Sequence, residues 1–186
     1  MNNATVLTAS ERDYAAEKLE NTREKLLNQL ETLNEAQLAF KPNPETWNIN
    51  EILEHTALAE NGIWQAVRQG LAQEPDPSRR EEVKMTDEEV YNRTASRNVK
   101  ANSPEVIKPV GKFPNTEAAL AFFTKRRNTT IDYIKSMEDD LRNRYWKHPF
   151  AGVMDLYQTI LFIAGHSERH TAQITELKQH ADFPQQ

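Results

Sequence analysis

Apolar residues recur along most of this chain at spacings of three and four, the period of a helix that buries one face. Ala15, Leu19, Thr22, Leu26, Leu30 and Leu33 mark the first such stripe, with good helix formers between them. The spacing predicts a helix from about Ala9 to Leu33, capped by Thr8 or Ser10. Pro42 and Pro44 bar its continuation, so Asn34 to Pro44 reads as a connection, with Ala39 and Phe40 tucked under the body. A second stripe, Ile52, His55, Ala59, Ile63 and Ala66, belongs to a helix that runs to about Leu71. Asn48 and Glu51 form its capping box, and Trp47 with Ile52 a hydrophobic staple. Thr116-Glu117 opens a third long helix, striped by Leu120, Phe123, Arg127, Ile131, Ile134 and Met137. A fourth runs from about Val153 to Gln179 with no proline inside. Its inward face carries Thr159, Phe162, Ile163, His166, His170, Gln173, Ile174 and Leu177.

The stretch from Gln73 to Pro114 is less regular, charged and interrupted by Pro75, Pro77, Pro104 and Pro109. Thr86 and Glu89 make a capping box for a short helix to about Arg97, and Val106 to Val110 reads as extended. A connection of this length in a compact domain is either a surface excursion or a flap over a site. Tyr145 to Gly152 reads as a turn into the last helix, with Gly152 a cap candidate, and nothing else in the chain alternates as a strand. The expected fold is therefore all-α: a single four-helix-bundle domain over residues 1–186, with a long irregular connection between helices 2 and 3.

A chain of 186 residues can bury a substantial core. Lys+Arg 23 against Asp+Glu 28 leaves a net charge of −5 with no basic block, which argues against nucleic acid as the main partner. No apolar run has membrane-spanning length, and Met1 to Thr5 lacks a secretory signal, so a cytoplasmic protein with no membrane contact is expected. The cysteine count is 0, so any metal must be held by His, Asp or Glu, and any thiol must arrive with a substrate.

His166 and His170, four apart on a helix, present two imidazoles to one point, an arrangement a divalent metal accepts. Two inward imidazoles are costly unless something satisfies them, and hydrogen-bonded histidines at the core edge would do so as well as an ion. Ser167 stands where a zincin motif has its glutamate, and Glu168 points to another face. His55, on the apolar stripe of the second helix, is the candidate third ligand. Arg127 on its own stripe is either a snorkelling residue or a cation awaiting a substrate carboxylate. His148, before Pro149 in a loop, reads as structural.

The segments W-N-I-N-E-I-L-E-H (Trp47 to His55), H-P-F-A-G (His148 to Gly152) and H-S-E-R-H-T-A-Q-I (His166 to Ile174) stand in this order. Together they resemble the DinB/YfiT-like superfamily of four-helix bundles, over essentially the whole chain apart from residues 73–114. The resemblance implies a divalent cation, commonly zinc or nickel, on one histidine of the second helix and two of the last: here His55, His166 and His170. Three protein ligands leave a position open for water or substrate, the catalytic pattern. Activities in that family include metal-dependent hydrolysis and transfer to low-molecular-weight thiols such as bacillithiol, and a mycothiol-dependent isomerisation. The expectation is a homodimeric metal-dependent enzyme acting on a small molecule, a hydrolase or a thiol S-transferase with a low-molecular-weight thiol as co-substrate. The alternative is a non-catalytic metal-binding or stress-response module. Glu51, one turn before His55, is placed to orient it or simply to cap the helix; Gln173, one turn after His170, to meet the metal-bound species or pack at the bundle edge.

Overall fold

The computed structural model describes residues 6–98, 105–149 and 151–185; Met1 to Thr5, Pro104 and Phe150, named above, lie outside the described residues. Four long helices are described: α1 (Ala9–Leu30), α3 (Ile49–Leu71), α5 (Thr116–Ser136) and α6 (Leu156–Lys178). Two shorter ones, α2 (Glu35–Leu38) and α4 (Asp87–Ala95), lie in the connections. Thr8, Asn48 and Thr86 each accept from the backbone N–H three residues on, while Glu11, Glu51 and Glu89 reach back to the cap. These capping boxes satisfy donors that would otherwise be orphaned, which is why the starts of these helices are readable. The ends are less so. Leu33 N–H bonds to Leu30 O at 3.2 Å and Asn34 caps α2, so α1 stops a turn short of Leu33. Phe40 packs edge-on against Phe183 at 5.4 Å, as expected of it, but Ala39 is exposed.

Two readings of the connections need correction. Val106 to Val110 is not extended: Glu105–Ile107 is a 3-10 turn, closed by Lys108 N–H on Glu105 O. β-branched residues favour a strand only where a neighbouring strand pairs with them, and none does among the described residues. Tyr145 to Asp155 is not a simple turn either but a hairpin, β1 (Tyr145–His148) and β2 (Gly152–Asp155), antiparallel with Tyr145 opposite Asp155 and His148 opposite Gly152. Gly152 begins β2 at φ 79°, a left-handed conformation that suits glycine, and it does not cap α6. The α6 cap is Asp155, whose Oδ1 accepts from Gln158 N–H at 2.7 Å. No described helix is long and apolar enough to cross a membrane.

α1 packs against α5 and α6, and α3 packs against the same two. The consecutive long helices α1 and α3 thus face each other across the diagonal, and α3 lies beside α6. The described core divides into two apolar clusters. Leu19, Ile63, Ile131 and Ala164 belong to one, and Leu26, Ala57, Phe123 and Ile174 to the other. Between them lies a polar layer with one residue from each long helix: Thr22, Glu60, Arg127 and Ser167, all buried. The Arg127 guanidinium forks onto Glu60 at 2.7 and 2.8 Å and donates to Leu19 O and Thr22 Oγ1, both at 2.8 Å, and to Ser167 Oγ at 2.6 Å. Every one of its five N–H groups is used. It is neither a snorkelling residue nor a free cation but the hub of a buried ion pair joining all four helices.

Candidate metal centre

The α3–α6 contact brings His55 to His166 and His170. His55 and His170 are buried and His166 is half-buried. The His55 ring centroid lies 4.7 Å from that of His170 and 5.2 Å from that of His166. One ligand-capable atom from each of the three lies within 4.8 Å of the others. His166 Nε2 and His170 Nε2 are 3.3 Å apart.

Neighbouring carbonyl oxygens decide which ring nitrogens carry protons. Gln173 Oε1 is 2.9 Å from His170 Nδ1, and Ile107 O is 2.8 Å from His55 Nδ1. A carbonyl can only accept, so Nδ1 is the protonated nitrogen in both rings and Nε2 carries the lone pair. Burial, reinforced by the nearby His55 ring, pushes His170 down to about 3. Burial and then the neighbouring His170 and His55 rings hold His166 well below the ordinary imidazole range. Burial also lowers His55, with the Ile107 carbonyl pulling the other way. All three rings are accordingly neutral at pH 7, the form that ligates a metal.

The His166–His170 spacing is the one a metal would need. Two imidazole nitrogens on one tetrahedral zinc, each at about 2.05 Å, stand about 3.3 Å apart. A His166 Nε2–H donated to His170 would give a similar separation, so the pair alone decides nothing; the third histidine is what a simple hydrogen bond does not call for. Among the described residues no carboxylate joins the three-histidine group.

Glu51 does not reach His55. Its carboxylate accepts from Asn48 N–H at 2.8 Å and from Lys41 Nζ at 2.7 Å, the capping role. Gln173 holds the His170 ring from behind, and Arg127 lies in the polar layer. His148 stays outside the group: its Nδ1 accepts from Ala151 N–H at 3.1 Å and its ring packs on Phe162 at 4.7 Å. Trp47 stacks at a tilt over His55, 4.9 Å between centroids. The Ile107 carbonyl was not identifiable from sequence, since a backbone oxygen 52 residues away leaves no pattern. Two surface hollows, one beside Leu27, Leu120 and Asn128 and one around Met85 and Glu89, are not lined by any of the three histidines.

The sequence profile of the DinB superfamily matches residues 18–174, a span that contains all three histidines. The chain belongs to the DinB superfamily. It is 24% identical over 152 residues to the uncharacterized protein YuaE of Bacillus subtilis (strain 168), covering 82% of this chain and 90% of that one. Its fold is similar to that of YfiT from Bacillus subtilis, with a TM-score of 0.63 at 17% identity over 96% of this chain and 92% of YfiT. YfiT is described as a probable metal-dependent hydrolase with an unusual four-helix bundle topology. At this identity the likeness establishes the bundle and its helix order, not a reaction.

Proposed function

We propose that His55, His166 and His170 hold a divalent metal ion and that the protein is a metal-dependent enzyme acting on a small molecule. One observation carries this reading: three neutral imidazoles from two helices converge within 4.8 Å. Gln173 and Ile107 support it by fixing the tautomers of His170 and His55 so that both present Nε2. Zinc fits an all-imidazole set best, with nickel the next choice. When bound, such an ion supplies Lewis acidity: it lowers the pKa of a water or thiol and polarises a carbonyl.

Hydrolysis is the leading reaction, by likeness to YfiT. A specific observation favours thiol transfer as the second. No carboxylate joins the histidines among the described residues to take a proton from water, and a thiol, far more acidic than water, needs less help. With a cysteine count of 0 the thiol would be a co-substrate. The reading extends to a cytoplasmic homodimer. Sedimentation showing only monomer at micromolar concentration would reject the dimer.

The experiment is a substrate panel run on metal-loaded protein with and without added low-molecular-weight thiol. Turnover in water alone, indifferent to thiol, is expected for a hydrolase; turnover of electrophiles only with thiol would assign the transferase. Metal uptake without turnover of either kind would leave a binding module.

A further inference from the structure

Glu54 adjoins His55 on α3 and is buried, with its carboxylate bonded to the long connection. Its carboxylate accepts three consecutive backbone N–H groups: Val110 at 3.0 Å, Gly111 at 3.1 Å and Lys112 at 2.9 Å. Gly111 sits at φ 76°, which lets the three N–H groups turn towards one carboxylate. Lys112 Nζ then donates to Val106 O at 3.0 Å and closes the strap on itself. Apolar burial does little to hold this segment, because Val106 and Val110 are 73% and 71% exposed. The strap carries Ile107, whose carbonyl meets His55 Nδ1 at 2.8 Å.

We propose that Glu54 is a positioning residue: by pinning the 107–112 strap beside α3 it holds the Ile107 carbonyl on His55 and so fixes which ring nitrogen His55 offers to the site. The residue chain is short and closed. Glu54 stands on α3 one residue before His55, its side chain captures the strap through the strap's backbone N–H groups, and the strap returns a backbone oxygen to the next residue of the same helix. Hydrogen bonds from three backbone N–H groups to one carboxylate are of the strong, charge-assisted kind. The effect on the metal rests on the reading of the three histidines as ligands, whereas the effect on the His55 ring does not.

Two variants break the clamp from opposite ends. Glu54→Gln removes the charge and sets an amide NH2 against backbone donors. Gly111→Ala strains the left-handed turn; a Cβ there meets nothing within 4 Å, so only the backbone conformation is penalised. The first readout is the tautomer of each histidine in metal-free protein above pH 7, from long-range proton–nitrogen correlation spectra of imidazole-labelled samples. Wild type should show His55 as the Nδ1–H form. Both variants should shift it towards the Nε2–H form while His148 keeps its own tautomer and the circular dichroism is unchanged. The second readout is zinc affinity by chelator competition, expected to fall about tenfold in each variant. An unchanged His55 tautomer in both variants, with amide exchange showing the strap N–H groups released, would overturn the proposal. If wild type binds no zinc, the metal-site reading fails by itself and the tautomer comparison still decides the role of Glu54.

Discussion

Replacing Arg127 by methionine keeps an unbranched side chain of similar volume and removes all five donors from the middle of the bundle. Glu60 is then a buried carboxylate with no hydrogen-bonded cation, and the Thr22 and Ser167 hydroxyls lose a donor each. Breaking one side of a buried, hydrogen-bonded pair costs about 3–5 kcal/mol, because the orphaned charge cannot regain water. For a chain of this size each kcal/mol corresponds to roughly 2–4 °C, so thermal unfolding should drop by about 6–20 °C. The deficit should also depend on pH. Burial already raises the Glu60 carboxyl pKa, and Arg127 is the main influence lowering it. Without the arginine the folded pKa rises further above the unfolded one, so stability is lost as pH rises and partly regained as it falls. Arg127→Met with Glu60→Leu should recover most of the loss, since an apolar pair of similar volume is often neutral or better. Urea and thermal unfolding of the metal-free proteins at pH 5 and pH 8 measure all of this. A single variant within about 1 kcal/mol of wild type, or a double variant no better than the single, would show that the polar layer does not hold the four helices together as described.

Metal-free protein should weaken in acid. His170 is lowered to about 3 in the folded state, so its contribution is intact above the unfolded value near 6.5 and lost progressively below it, about 2 kcal/mol by pH 5. Urea midpoints that stay flat from pH 7 to pH 5 would contradict the burial of the rings. Gly165→Ala should destabilise by about 1–2 kcal/mol despite the better helix propensity of alanine. A Cβ there would lie 2.8 Å from Tyr91 O, a backbone atom of α4 that cannot swing aside, and an unchanged or raised melting temperature would show that α4 is not packed so closely on α6.

How legible each element was depends on how local its cause is. Thr8, Asn48 and Thr86 act on residues three positions away, and a sequence displays such pairs directly. His166 and His170 show their geometry in their spacing, and His55 joined them because it interrupts an apolar stripe. The hairpin was missed because strands of four residues give the alternation no room to appear, and only Gly152 marked the place. Arg127 looked anomalous, but Glu60 is 67 residues away and no spacing links them; the bundle order, with α1 and α3 diagonal, is what brings α3 against α5. Glu54 and Ile107 were invisible for a related reason. Their work is done by backbone groups of an irregular segment, whose positions depend on the finished fold.

The most direct test of the metal site is metal content after reconstitution with zinc, in protein purified without a histidine tag. Wild type and His148→Ala should each hold about one equivalent; His55→Ala and His170→Ala should both fall below roughly a tenth. His55 and His170 lie on separate helices and share nothing in sequence, so equal losses are expected only if both bind one ion. Full occupancy and wild-type affinity in His55→Ala would contradict the site and leave His166 and His170 as two hydrogen-bonded histidines on α6.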